Sequence, residues 1–404
     1  LSRKVAFVYA SELEKYKMGE DHPLDSLRLR LTFELLRDLE ILPDEEIVVP
    51  EPAKNADLYL VHDRDYVSLV QEMSQKGVPD ARSLTYGLGT EDNPIFPGMH
   101  EAGLLIVGAT LQAARLVMTG EVEHAAHIGG GLHHALPGRA SGFCIYNDVA
   151  VAIAYLKKEF GARVAYIDTD AHHGDGVQWI FYHDPDVLTI SFHETGRYLF
   201  PGTGRVNELG SGAGYGYSVN VPLEPFTEDD SWIRALRMIL PPLLRAFKPD
   251  VIISQNGCDG HRFDPLTHLL ASTRLYREAP RLVHELAHEL TGGRWIALGG
   301  GGYDIWRVVP RAWALLWGEM SERRLPRKLP QSWLQRWSAV SPVPLREFFC
   351  DDPYEFPPTP RRPLIYEKNM LTAKNVLKTV LPILKKSTVP RRRPNLGQPP
   401  HFEF

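Results

Sequence analysis

Four times in this chain a short apolar, β-branched run stops abruptly in a cluster of glycine, histidine and aspartate. "HAAHI" leads into "GGGLHHALPGRASGF", "RVAYI" into "DTDAHHGDG", "DVIISQ" into "NGCDGHRFDPL", and "RWIAL" into "GGGGYDIW". Between these and two further runs, "KVAFVYA" and "VLTISFH", lie segments of helical period such as "GLLIVGATLQAARLVM", "NDVAVAIAYLKKEF" and "SWIRALRMILPPLLRAF". The second of these opens with Asn147 and Asp148 as expected N-caps. Strands alternating with helices build βαβ units, which predict a mostly parallel sheet covered by helices on both faces. In such a sheet the loops leaving the carboxyl ends of the strands form the ligand crevice. The candidate chemistry of this chain therefore gathers at one edge of the sheet.

Asp170 and His172 are two positions apart, so in an extended segment both point to the same side and can grip one metal ion. Asp259, just past another strand end, is a candidate third ligand, and such a set leaves coordination positions open for water and substrate. Hydrolysis at a metal needs a proton acceptor, and His133 and His134 offer two imidazoles in a Gly-rich loop. Asp168 and Asp175 are the spare carboxylates that suit them as orienting partners. Tyr303, after the glycines 299–302, can donate to an oxyanion developing on a carbonyl. The "GGGGY" run lacks the Lys and Ser/Thr of a phosphate loop and the spaced glycines of a dinucleotide site. Gly142, Phe143 and Phe200 are candidates to line a narrow tunnel.

These residues sit in "GGLHHALPGRASGFC", "YIDTDAHHGDGVQ", "FPGTG", "YSVNVPL", "NGCDGHRFDPL" and "LGGGGYDIW". With them in that order, the chain resembles the histone-deacetylase-like superfamily and, within it, the bacterial acetoin-utilisation-type deacetylases. The likeness runs from about residue 4 to about residue 320. It implies a three-layer α/β/α arginase-like fold and a Zn2+-dependent amidohydrolase that removes acetyl from the ε-amine of lysine. Carried over by motif, Asp170, His172 and Asp259 bind the metal, and the same donors also accept Fe2+ or Co2+. His134, partnered by Asp175, is the implied general base; His133, partnered by Asp168, gives electrostatic support; Tyr303 polarises the acetyl carbonyl. Phe143 and Phe200 would sandwich the lysine methylenes beside Gly142 and Leu266, with Asp92 at the rim and Arg28 by an internal acetate cavity. The resemblance further implies K+ or Na+ sites, one at Asp168, Asp170, His172, Ser191 and Phe192, another at carbonyls around Phe181, Asp184, Val187 and Tyr217. By analogy the substrate is an acetylated protein such as acetyl-CoA synthetase. The "GCDGHRFDPL" and "YDIWRVV" segments depart from the pattern of the nuclear enzymes, which bears on histone specificity more than on hydrolysis.

Other features set bounds. The net charge of −5 gives no reason to expect direct nucleic-acid binding, despite the basic "VPRRRP" near the end. Three widely spaced cysteines predict free thiols in a reducing, cytoplasmic setting. The first residues lack a secretory pattern, no run of about 18 apolar residues predicts a membrane span, and no membrane association is expected. Residues 1–320 are expected to form the catalytic domain, with 321–404 an extension of loops and a peripheral helix on the same body. The competing functions are hydrolysis of a small acetylated amine such as an acetylpolyamine, an acetyl-lysine-binding module without turnover, and a binuclear manganese hydrolase.

Overall fold

The computed structural model describes residues 4–386. Its centre is one all-parallel sheet of β1 Val5–Val8, β2 Ile47–Val48, β3 His124–His127, β4 Val164–Asp168, β5 Val187–Glu194, β6 Ser218–Leu223, β7 Val251–Gln255 and β8 Trp295–Leu298. Their spatial order is β2-β1-β3-β8-β7-β4-β5-β6. The six strands read from sequence are all present. The edge strand β6 lies inside "YSVNVPL", and β2 is too short to leave a pattern. All five residues of β4, "VAYID", are buried, as they must be in a parallel strand covered on both faces.

The helices are α1 Leu27–Asp38, α2 Asn55–Leu58, α3 Arg64–Lys76, α4 Met99–Met118, α5 Asp148–Phe160, α6 Asp175–Ile180, α7 Asp229–Phe247, α8 Thr273–Thr291, α9 Val309–Met320, α10 Gln331–Ser338 and α11 Arg362–Lys386. They flank the sheet to give the expected three-layer α/β/α fold. Asn147 caps α5, its Oδ1 accepting the Ala150 N–H at 2.9 Å. Asp148 does not cap the helix. Its buried carboxylate accepts the N–H groups of Gly131 (3.0 Å) and Leu132 (2.7 Å) and so pins the loop that carries the two histidines. Helix α4 is the one helix, among the described residues, long and apolar enough to cross a membrane, which the sequence reading did not foresee; 67% of its apolar window is buried in the fold against its neighbours.

Two anchors tie residues after 320 to the rest. Asp351 accepts Arg311 Nη1 of α9 at 2.8 Å and bonds His261 Nε2 at 2.9 Å, with all three side chains buried. Asn369 of α11 is fully buried; its Oδ1 accepts the Glu224 N–H and its Nδ2 donates to Thr227, just before α7, and to Ser231 in the first turn of α7. The basic run "VPRRRP" and the proline-rich end lie outside the described residues.

Candidate active site

Sheet order turns sequence distance into proximity. The loops singled out above leave β3, β8, β7 and β4, which are consecutive neighbours, and the last residues of these strands, His127, Leu298, Gln255 and Asp168, stand abreast in register.

Asp170, His172 and Asp259 converge, with their ligand atoms all within 4.8 Å of one another and all three side chains buried. His172 Nδ1 lies 2.8 Å from Asp259 Oδ2 and 3.2 Å from Asp170 Oδ1. The means differs from the strand alternation expected from sequence. The strand ends at Asp168, and Asp170 Oδ1 accepts the His172 N–H at 2.9 Å, so a side-chain-closed turn brings the two together. Gln255 Nε2 and the Gly301 N–H, each 2.6 Å from Asp170 Oδ2, fix the other oxygen. A Cβ on Gly301 would meet Asp259 Oδ2 at 2.2 Å, so only glycine lets the β8 loop cross this close.

The donor set fits a divalent ion. Burial opposes a charge on His172, but Asp170 and Asp259 outweigh it and raise its pKa to about 10. The two carboxylates thus hold a positive charge between them, the place a cation takes in a metal site. Burial likewise works against ionisation of Asp170, yet the charges of His133 and His172 keep its carboxyl well below the usual range. Asp259 is pushed up to about 7 by burial and by Asp170.

Beside this set stand two imidazole–carboxylate pairs. His133 Nδ1 is 2.7 Å from Asp168 Oδ2 and His134 Nδ1 is 2.7 Å from Asp175 Oδ1, while the two Nε2 atoms face each other at 3.0 Å. Burial depresses both rings. For His133 the charges of Asp168 and Asp170 reverse this and raise it to about 9. For His134 the neighbouring His133 and His172 add to burial and hold it well below its ordinary value. The two adjacent rings are therefore pulled in opposite directions, His133 toward its protonated form and His134 toward the neutral base. Tyr303, its ring 6.4 Å from that of His172, is raised by burial and then by Asp259, so its phenol stays a proton donor.

Aromatic rings wall the approach. Phe143 packs edge-on to Tyr303 at 5.8 Å, and Phe200, 43% exposed, packs edge-on to His134 at 5.0 Å. Gly142 lies between, at φ +52°.

The chain matches the model of the histone deacetylase domain over residues 22–320. It belongs to the histone deacetylase family. The chain is 53% identical to the acetoin utilization protein AcuC of Bacillus subtilis (strain 168), over 93% of this chain and 97% of that protein, and 45% identical to AcuC of Staphylococcus aureus (strain MSSA476) over the same shares. Among solved structures, an HDAC homolog complexed with SAHA superposes with a TM-score of 0.82 at 31% identity, and an HDAC homolog from Aquifex aeolicus with 0.81 at 30%; each alignment covers 91% of this chain and 100% of the other. The protein is thus an AcuC-type deacetylase and a hydrolase.

Of the remaining positions named from the deacetylase resemblance, the second cation group lies at the other end of the sheet, where Val187 starts β5 beside Val164 of β4. Arg28 is buried, donates to the Gly302 carbonyl at 3.1 Å and lies over the Trp313 ring. Burial lowers its pKa, and it faces Tyr303 and Cys258 rather than a paired carboxylate. Asp92 is exposed, and its carbonyl takes the His22 ring at 3.3 Å. Leu266 is half-buried in the turn closed by Asp264 Oδ1. At the first monovalent-cation position, Asp168 Oδ1 accepts the Asp170 N–H and Ser191 Oγ bonds His193 Nδ1 at 2.8 Å, with Phe192 and His172 adjoining in sequence and fold. At the second, the carbonyls of Phe181, Asp184 and Tyr217 each accept one backbone N–H, and Val187 supplies that to Asp184.

Several contributors were not singled out from sequence. Tyr166 donates to Asp168 at 2.7 Å, Gln255 clamps Asp170, Asp264 accepts the Tyr303 N–H at 2.8 Å, and His22 packs edge-on to Phe143 at 4.6 Å. Gln255 ends β7 and Tyr166 lies two residues before the end of β4, positions that only the strand register brings together. His173, half of the second histidine pair, turns away to Thr203 and Gln178 and stacks near His193.

Proposed function

We propose that this deacetylase is a zinc enzyme that hydrolyses the acetamide of N-ε-acetyl-lysine in proteins, releasing acetate, with acetyl-CoA synthetase or a similar metabolic enzyme as the substrate protein. The observation that carries this reading is the gathering of an Asp175-backed His134, held toward its neutral form, and a protonated Tyr303 phenol beside the buried Asp170, His172, Asp259 set. A Zn2+ ion held by those three residues would supply Lewis-acid polarisation of the carbonyl and lower the pKa of the attacking water, and Fe2+ or Co2+ would serve the same ligands.

The chain's own groups do the rest. His134 takes the proton of water as its oxygen adds to the acetyl carbon, and Asp175 holds the Nδ1–H tautomer that leaves Nε2 free for this. The Tyr303 hydroxyl donates to the oxygen that gains charge. The C–N bond then breaks, His134 returns the proton to the leaving amine, and acetate and lysine separate. His133, charged and bonded to Asp168, stabilises the anionic intermediate from the side. Phe143 and Phe200 fit an extended methylene chain, Gly142 and Leu266 adjoin it, and the exposed Asp92 at the His22 rim suits a peptide backbone. Arg28 under Gly302 suits an acetate leaving inward. Bound K+ or Na+ at the two positions described above, and a cytoplasmic setting suited to buried free Cys144 and Cys258, belong to the same proposal. Nucleic-acid and membrane partners do not.

The test is to incubate purified protein with an acetylated lysate and with acetylated acetyl-CoA synthetase, with and without chelator, and to identify the lysines that lose acetyl. Loss at protein lysines, abolished by chelator and by Tyr303→Phe or His134→Ala, is expected. Turnover of free acetylated diamines in preference to acetyl-lysine peptides would favour the polyamine reading instead.

A further inference from the structure

A second convergence of imidazoles lies at the opposite edge of the sheet. His124 is the first residue of β3 and pairs in register with Trp295, the first residue of β8. His284 and His288, four apart on α8, present their rings from one helix face. His284 Nε2 lies 3.0 Å from His124 Nε2 and 2.9 Å from His288 Nε2. These three rings and the set at Asp170 are the two groups, among the described residues, whose ligand atoms close to within 4.8 Å.

An imidazole nitrogen carries one hydrogen or one lone pair, never both. His284 Nε2 can therefore satisfy one of its two contacts, and the cluster is frustrated as a hydrogen-bonded group. A cation among the three nitrogens removes the conflict, because it accepts all three lone pairs at once. The spacing agrees, since ligand atoms about 2.0–2.1 Å from a tetrahedral ion stand about 3.3 Å apart.

We propose that His124, His284 and His288 form a metal site, separate from the catalytic one, for a late first-row divalent ion such as Zn2+. Imidazole is the donor these ions prefer among nitrogen and oxygen ligands. The surroundings match. His124 is buried, His284 half-buried and His288 exposed, so the ion enters from solvent and three protein ligands leave one position for water. The Trp295 ring stacks on His284 at 5.6 Å and stands edge-on to His124 at 5.7 Å, walling one side. The carboxylates of Glu322 and Glu123 lie close enough to act on His284 and add negative potential where a cation would sit.

The His133–His134 loop leaves the far end of β3, and the Tyr303 loop the far end of β8, so this ion takes no part in hydrolysis. It staples the last turns of α8, the helix that follows the Asp259 loop, to the starts of the two strands that carry those loops. Two transition ions per chain would then be expected without a binuclear centre.

The experiment uses the full chain without a histidine tag, stripped with chelator and titrated with Co2+ and then Zn2+. Bound metal is counted by plasma mass spectrometry, and Co2+ is followed by its visible absorption. The parent is expected to bind two ions, and His288→Ala and His124→Gln to bind one with undiminished peptide deacetylation. Their second-ion affinity should fall at least about tenfold, since even groups that only orient a ligand cost that much. A parent that binds a single ion, or variants that hold a second as tightly as the parent, would overturn the proposal. His288 is exposed, so its variant decides the matter should His124→Gln fail to fold. Neither outcome depends on the identity of the acetylated substrate.

Discussion

Gly142→Ala tests whether the catalytic geometry is set by backbone packing against His134. An added Cβ at this position would lie 2.5 Å from His134 Cδ2, 2.8 Å from His134 Cγ and 2.8 Å from Phe200 Cε1, where ordinary contact begins near 3.4 Å. His134 is held by Asp175 at 2.7 Å, so relief comes from moving a ring that is already anchored. Displacement by roughly 0.9 Å is needed, and a misplacement of about 1 Å costs on the order of 100-fold in rate, or about 2.7 kcal/mol of barrier. The positive φ adds a separate penalty of about 1–2 kcal/mol to folding stability. Gly161→Ala separates the two effects. That residue, at φ +63° after α5, has nothing within 4 Å of an added Cβ, so it carries the strain without the clash. Steady-state kinetics on an acetyl-lysine peptide and urea unfolding of both variants are the assays. Similar stability losses are expected, with the rate loss confined to Gly142→Ala. A Gly142→Ala enzyme within threefold of the parent kcat/KM, or equal rate losses in both variants, would refute the reasoning.

Asp351→Asn should destabilise the protein by about 3–5 kcal/mol, because it strips the countercharge from Arg311, whose side chain is 2% exposed; urea unfolding reads it directly. The effect would mark the segment after residue 320 as part of the folding unit, and an unchanged midpoint would argue against that. Acid sensitivity should begin near pH 6.5. Burial lowers His62 and His127 to about 4, so between pH 6.5 and 4 the unfolded chain binds protons that the folded one refuses. Their stabilising contribution is complete above pH 6.5 and lost as pH falls toward 4, at roughly 3 kcal/mol apiece, so the difference in unfolding free energy between the parent and His127→Gln should shift by about that amount across that range. A difference independent of pH would contradict it.

How much of this was legible in sequence depends on the length scale of the cause. The parallel sheet and its reactive edge were readable, because a buried parallel strand such as "VAYID" is a continuous apolar run and its end is punctuated by glycine and aspartate. The order of the strands was not, because the adjacency of β3, β8, β7 and β4 depends on pairing between segments far apart in the chain. Side-chain roles split the same way. Asp148 reads as a cap because it follows Asn147 at a helix start, yet its carboxylate serves a loop sixteen residues back in sequence. Gln255 gives no local sign of chemistry, and only the register that sets it beside Asp168 explains its grip on Asp170. The His124, His284, His288 cluster had no sequence signal beyond one i, i+4 pair, since its third member comes from a strand.

The clearest case is the pair His133 and His134, identical in type and adjacent in sequence. Each has one carboxylate at 2.7 Å, so local bonding does not distinguish them. Their difference arises one residue further out. Around His133 the charges of Asp168, Asp170 and Asp175 together overcome burial and raise it to about 9, whereas for His134 the imidazoles of His133 and His172 add to burial, outweigh Asp170 and hold it well below its ordinary value. A base in hydrolysis must accept a proton in one step and surrender it in the next. The charge on His133, with its Nε2 3.0 Å from that of His134, makes an accepted proton costly to keep and so favours its passage to the leaving amine. Two adjacent histidines thus perform different tasks because carboxylates dominate around one of them while two further imidazoles crowd the other.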